Sequence, residues 1–330
     1  MSDVGTTAVI TFDGTEITDE QKADIKEILY IDNDEEHADD LQIITDREEL
    51  LDSVSEIGLL LRSDNWHGTG TRRTLDCGMF AVDDRESRVL LKRHIVKASA
   101  VTPDSEIRQA PRYQAWECLN LKEIATEIAW RNNADLIYAA ELNPVFSRKE
   151  QINQSDIKFL SDLCRLVGMR LKYTGTSLVV YDPYEYRQNK PVRTFINGKD
   201  DLLDIELHHK KNDTDYAQCR VIYKDPVTKE LISYTHKKRE TGRRLDIRCK
   251  VSGTEEAAML AELKIREKNR MEYTGHILCN GDISLATGSI ITLFGYGEYD
   301  RNYMITKTLH RIQIGVYSTK ICFEMAEGYE

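Results

Sequence analysis

The sequence predicts an α+β fold that is mostly β. Three observations carry that prediction. The first and last thirds break into short strand-like runs separated by polar turns, the middle third alone carries two amphipathic helical stretches, and no β–α–β alternation runs through the chain. At 330 residues the chain exceeds the roughly 250–300 residues at which a single core stops growing, so two or three domains are expected. No apolar run approaches the roughly 18–20 residues of a spanning helix, and the N-terminus lacks the basic and apolar regions of a secretory signal, so neither membrane insertion nor export is expected.

The elements follow in order. Ala8–Phe12 reads as a strand running into Asp13-Gly14, a two-residue hairpin signal. Strands are expected at Ile25–Ile31 and Leu41–Thr45, and at Leu75–Val82 and Arg88–Val96 around a turn at Asp83–Ser87. Asn120 is placed to cap a helix reaching about Arg131, with Leu121, Ile124, Ala125, Ile128 and Ala129 on one face and Asn133 at its stop. Ser155 is placed to cap a second helix, with Asp156 in its first turn, Phe159, Leu160, Leu163, Cys164 and Val167 as the buried stripe, and Gly168 at a left-handed C′ position. Met169–Tyr173, a turn at Thr174-Gly175 and Leu178–Tyr181 make a hairpin. The last third returns to strands at Ala217–Tyr223, Leu231–Thr235, Ser289–Phe294, Tyr303–His310 and Val316–Met325. It is interrupted by one helix over Ala257–Ile265, where Ser252 and Glu255 have capping-box spacing. The expected units are 1–114, 115–190 and 191–330, with the crossing at Asp182–Pro191.

Charge and motifs exclude more than they assign. Acids outnumber bases 56 to 45, a net charge of −11, the wrong sign for a chain that mainly grips nucleic-acid backbone. The basic run Lys237-Lys238-Arg239, Arg243-Arg244, Arg248 and Lys250 reads as a solvated hairpin. The acidic run Asp32–Glu36 with Asp39-Asp40 has His37 and Ile43 where a calcium loop needs Gly and Glu, and reads as a solvent-facing turn. Seven cysteines without C-x-x-C spacing offer no zinc site, and those at apolar-face positions, Cys164 and Cys219, read as small hydrophobes. Reduced thiols imply folding in a cytoplasm. Ser155-x-x-Lys158 and Ser63-Asp64-Asn65 imitate a penicillin-recognising site, but their order is reversed and no K-T-G exists. Gly68-x-Gly70 and Gly295-x-Gly297 are too short for phosphate loops and read as tight turns; His208-His209 reads as surface. No catalytic motif, metal set or cofactor loop is found, so no enzyme, cofactor or metal is expected.

The middle unit carries a recognisable pattern: Gln151, Ser155, Asp156, Phe159, Leu160 and Leu163 in the spacing Q-x-x-x-S-D-x-x-F-L-x-x-L, then Gly168, then the Leu178–Val180 strand. It resembles the late control protein D family, the baseplate hubs of contractile phage tails and phage-tail-like particles. Asn65-Trp66, Cys77-Gly78 and Phe80–Asp83 upstream, and Gly288, Gly295 and Tyr303–Ile305 downstream, are similar to the family's flanking domains. The resemblance implies two tube-like β-barrel domains flanking a small α+β domain, a homotrimer whose ring joins tail tube to central spike around a channel, and contacts with other baseplate proteins and the tape-measure protein. It further implies assembly in the bacterial cytoplasm into a virion or tail-like particle, no stable nucleic-acid binding, and structural roles for the seven motif residues. Part of the acidic excess would then line the channel and repel a passing polyanion. The alternatives from other classes are a cell-wall hydrolase working through two carboxylates and a glycan-binding tail module.

Overall fold

A computed structural model describes residues 6–33, 38–64, 71–100, 106–173, 176–186, 189–200, 202–226, 228–251 and 253–326. The first third supplies β1 (Thr6–Phe12), β2 (Thr15–Glu16), the short α1 (Asp19–Asp24), β3 (Ile25–Asn33), β4 (Asp40–Thr45), β5 (Glu56–Ser63), β6 (Arg73–Arg88) and β7 (Arg93–Ser99). Alternating side chains from these strands bury Ile10, Tyr30, Leu41, Ile43, Ile57, Leu61, Phe80 and Val96 in one core. The short α2 (Glu106–Gln109) leads to β8 (Arg112–Asn120), α3 (Leu121–Arg131), β9 (Asp135–Ala139), β10 (Val145–Gln154), α4 (Asp156–Leu166), β11 (Arg170–Tyr173), β12 (Ser177–Tyr181) and the short α5 (Pro183–Tyr186). Here β8 pairs with β10, while β12 lies between antiparallel β11 and parallel β9. Both long helices pack on these sheets around Trp116, Ile124, Ile128, Leu160 and Val180.

The last third supplies β13 (Arg193–Ile196), β14 (Leu202–His209), β15 (Tyr216–Lys224), β16 (Leu231–Lys237), β17 (Arg243–Arg248), α6 (Thr254–Asn269), β18 (Tyr273–Asn280), β19 (Ile290–Phe294), β20 (Asn302–Gln313) and β21 (Val316–Met325). Its second large core gathers Phe195, Ile277, Leu293, Tyr303, Ile321 and Phe323. Strands β15–β17 stay out of that core. They form a separate three-stranded sheet, order β16-β15-β17, covered on one face by α6.

The α+β, mostly β class holds, but the two closed barrels expected from the resemblance are not seen among the described residues. Thirteen strands form one open sheet, running β14-β18-β21-β20-β3-β4-β7-β6-β5-β1-β2 with β13 and β19 branching from β20. The joint is β20. Its first residues pair with β19; after a bulge between Ile305 and Lys307, the rest pairs with β3, from Lys307 opposite Asn33 to Gln313 opposite Glu27. A bulge bends and twists a long strand, so one strand serves two partners and fuses two half-sheets that keep separate cores.

One turn is also displaced. Strand β6 runs straight through Asp83–Ser87, and the chain reverses at Val89–Leu91, with Lys92 left-handed at φ +46°. Pairing with β7 overrides the turn propensity of the acidic stretch, where Asp84 meets Lys97 at 2.7 Å. Leu90 in consequence is fully exposed.

Candidate functional site

The motif residues converge on one buried carboxylate. Asp156 begins α4 and is 0% exposed. Its oxygens accept hydrogen bonds from Arg131 Nη2 at 2.7 Å, Asn132 Nδ2 at 2.9 Å and Gln151 Nε2 at 2.9 Å, and Arg112 Nε lies 3.2 Å away. Gln151, on β10, donates as well to the Gln154 carbonyl, which holds the strand end against the helix start. That double bond gives the Gln-to-Asp spacing a physical cause: one amide ties the last strand residues to the first helical one. Arg131 sits over the Trp116 ring, 5.4 Å from its centroid, and Trp116 stacks on Phe159 at 5.9 Å. Phe159, Leu160 and Leu163 are all buried in the middle core. A carboxylate fixed by two guanidiniums and two amides has no free face for substrate, so this cluster is a latch between α3, α4 and the β8–β10 ribbon.

Two motif residues act differently from expectation or add to it. Ser155 occupies the N-cap of α4 with extended backbone, but its hydroxyl makes no capping hydrogen bond. Asn120 does cap α3 fully: its Oδ1 accepts from Glu123 N and Glu123 Oε2 accepts from Asn120 N. Gly168 is left-handed at φ +76°, and a Cβ there would lie 2.3 Å from Leu263 Cδ2 of α6, so the turn must be glycine on two counts.

A second polar cluster pins the middle unit to both halves of the large sheet. Strand β11 sends Lys172 between two acids, 2.7 Å from Asp32 Oδ1 and 3.2 Å from Asp39 Oδ2. Asp32 also accepts from Thr287 N at 2.8 Å, while Asp39 accepts from Asn33 N at 3.0 Å and from the Tyr30 hydroxyl at 3.3 Å. Two residues earlier on β11, Arg170 meets Glu324 of β21 at 3.1 Å, and Arg270 approaches the same carboxylate at 3.4 Å. Burial pushes the Asp39 carboxyl up to about 6, its neighbour Asp32 adding to the rise while Lys172 opposes it. Burial pulls Lys172 down, but the two acids outweigh it and hold its ammonium above the usual lysine range. Tyr30 also stacks on His310 of β20 at 5.9 Å, and burial holds that imidazole down at about 4. Asp32 and Asp39 are therefore not parts of a solvated turn; they are 4% and 7% exposed and carry the joint. Asp34–His37, in the same run, lie outside the described residues, as do Asn65-Trp66, Gly68–Gly70, Thr174-Gly175 and Ser252.

Other expected features take plain places. Cys164 and Cys219 are buried free thiols, and burial raises both, Cys219 to about 11. Gly295 and Gly297 hold positive-φ turns. His208 is exposed, but His209 is not a surface group: it stacks on Tyr273 at 4.2 Å between Glu272 and Glu298. With Ser252 undescribed, α6 starts at Gly253 without a side-chain cap. A groove of about 860 Å³ lies between β10 and the start of α6 and is lined by Phe146, Arg148, Lys149, Lys250 and Glu256. Among the described residues no group of three His, Cys, Asp or Glu side chains could hold a metal ion, and no helix is long and apolar enough to cross a membrane.

Comparison with known proteins gives the architecture a context. No protein-family model matches the chain, and no curated protein matches it. Solved structures do. The 43 kDa tail protein of prophage MuSo2 from Shewanella oneidensis superposes with a TM-score of 0.72 at 12% identity, over 97% of this chain and 98% of its own. The fold is that of phage tail proteins. A tail protein from Neisseria meningitidis gives a TM-score of 0.66 at 11% identity, over 97% and 96% of the two chains. An Escherichia coli component of the type VI secretion system gives 0.56 at 13% identity, over 97% of this chain and 78% of its own. In this tail-protein fold the latch lies inside the small middle unit, and the ionic joint sits where that unit meets the large sheet. The resemblance singled out Gln151 and Asp156 but not their partners Arg112, Arg131 and Asn132. It missed the joint, whose partners lie 133 to 154 positions apart on the chain.

Proposed function

We propose that the chain is the structural hub of a phage-tail-like baseplate, three copies closing a ring that joins tail tube to central spike and surrounds the channel. The observation that carries the reading is the open sheet. Its ends, β14 on one side and β1 with the two-residue β2 on the other, each pair on one side only among the described residues. Long free edges invite pairing with another chain, and a closed ring of copies removes them. Near end-to-end likeness to solved tail proteins supports the same reading.

In this account residues 1–114 and 191–330 form the two tube-like lobes, the second carrying the β15–β17 sheet as an excursion, and 115–190 is the spacer that sets their angle. Gln151, Asp156, Phe159, Leu160, Leu163 and Gly168 keep that spacer rigid, and Ser155 starts its helix. The role is architectural and non-enzymatic, with tube, spike, tape-measure and other baseplate proteins as partners in a virion or tail-like particle. Light scattering on the purified protein tests it: the expected mass is three times the 38.0 kDa of one chain, and a concentration-independent single-chain mass overturns the ring.

A further inference from the structure

The basic run singled out in the sequence has a place in the fold that its sequence does not reveal. The inner face of the β16–β15–β17 sheet is sealed against α6 by Cys219, Val221, Ile232, Tyr234, Leu245 and Ile247. Its outer face carries Arg220 and Lys224 on β15, Lys237 on β16, and Arg244 and Arg248 on β17. One carboxylate, Asp246, stands among these five cations; it takes Arg220 Nε at 2.9 Å and Arg244 Nε at 3.0 Å. Lys237 reaches Glu240 in the adjoining turn at 3.1 Å. Lys224 and Arg248 have no ion-pair partner among the described residues, and both are exposed. Charge is thus segregated: five cations against one carboxylate on this face, two of them unpaired among the described residues, on a chain of net −11.

We propose that this outer sheet face docks a carboxylate-rich surface of another protein. Register arranges the cations for it. Arg248 stands beside Ile222, and Lys224 stands opposite Leu231, which is 62% exposed. Cations therefore flank two aliphatic side chains, Ile222 and Leu231, on a face otherwise completed by Gln218, Ser233 and Thr235, and such a charged face selects its partner by complementary charge. Guanidiniums pair carboxylates in a planar, two-pronged geometry, and Arg244 already does so with Asp246 through Nε at 3.0 Å and Nη2 at 3.3 Å, while Arg220 adds a single bond through Nε. The aromatic side chains of these strands point into the α6 core, so the face lacks a platform for stacking bases. The inference is independent of ring closure.

The experiment titrates labelled poly-L-glutamate into the full chain at low salt and at roughly 0.5 M salt, where screening acts within a few ångströms. Binding is expected at low salt and not at high salt, with a loss of about tenfold or more in a Lys224→Glu, Arg248→Glu double variant. Lys199→Glu with Lys210→Glu, equally charged and exposed elsewhere, is expected to bind like the parent. Circular dichroism checks the fold, and Lys224→Gln with Arg248→Gln stands in if charge reversal unfolds the sheet. Unchanged binding in the double variant overturns the proposal. So does tighter binding of duplex DNA of matched charge, which makes this a nucleic-acid face, or a fall in particle mass caused by the double variant without any probe, which makes it a contact between copies.

Discussion

Replacing Lys172 by Met removes the one cation between Asp32 and Asp39 while keeping the bulk of its stem. The two carboxylates are 4% and 7% exposed, and breaking a buried pair by removing one partner costs roughly 3–5 kcal/mol because a charge is left uncompensated. Two features place this case at the low end. Lys172 is itself 27% exposed, and Thr287 N, Asn33 N and the Tyr30 hydroxyl go on donating to the acids. The expected loss at pH 7.5 is therefore about 3 kcal/mol. Its pH dependence follows from the sign of the Asp39 shift. The folded carboxyl titrates at about 6, above the ordinary aspartate value of 3.8, so between those values the folded state binds the extra proton and stability falls as pH rises. In the variant the opposing pull of Lys172 is gone and the hydrogen bond from Asn33 N is what still resists the rise, so Asp39 takes up its proton at higher pH and the deficit against the parent shrinks at pH 5. Urea unfolding at both pH values, at one protein concentration, reads it. A penalty below about 1 kcal/mol at pH 7.5, the size expected of a surface pair, or one that is equal at the two pH values, refutes the reasoning.

Three further outcomes follow from packing. Leu163→Ala, at a position 4% exposed, should cost roughly 2–5 kcal/mol in urea unfolding; a near-zero loss means that the α4 face is misplaced. Gly168→Ala meets both a positive φ and Leu263, so its thermal midpoint should fall by a margin worth about 1–3 kcal/mol; an unchanged midpoint contradicts the left-handed turn. Leu90→Ser, at the exposed tip of the β6–β7 hairpin, should leave the unfolding free energy within about 0.5 kcal/mol, whereas a large loss restores Arg88–Val96 as a buried strand.

Local chemistry was readable from the chain. The Asn120 cap, the apolar stripe of α4 and the glycine after it each depend on residues within a few positions, and each lies where periodicity and capping placed it. What escaped depends on distant partners. The acidic run looked solvated because nothing near it in sequence neutralises Asp32 and Asp39; Lys172 does so from β11. Asp83–Ser87 looked like a turn because its strand partner, β7, outweighs local preference only once paired. Strand β9 is five residues long and escaped notice, being defined by a parallel neighbour beyond α4. The fusion of two half-sheets rests on one bulge in β20, which no periodicity announces.

The central claim is that copies of this chain close a hollow ring. Electron-microscope class averages of the purified full chain test it most directly. Threefold-symmetric rings with an open centre are expected, and single asymmetric lobes without a central channel, at every concentration tried, would rule the ring out.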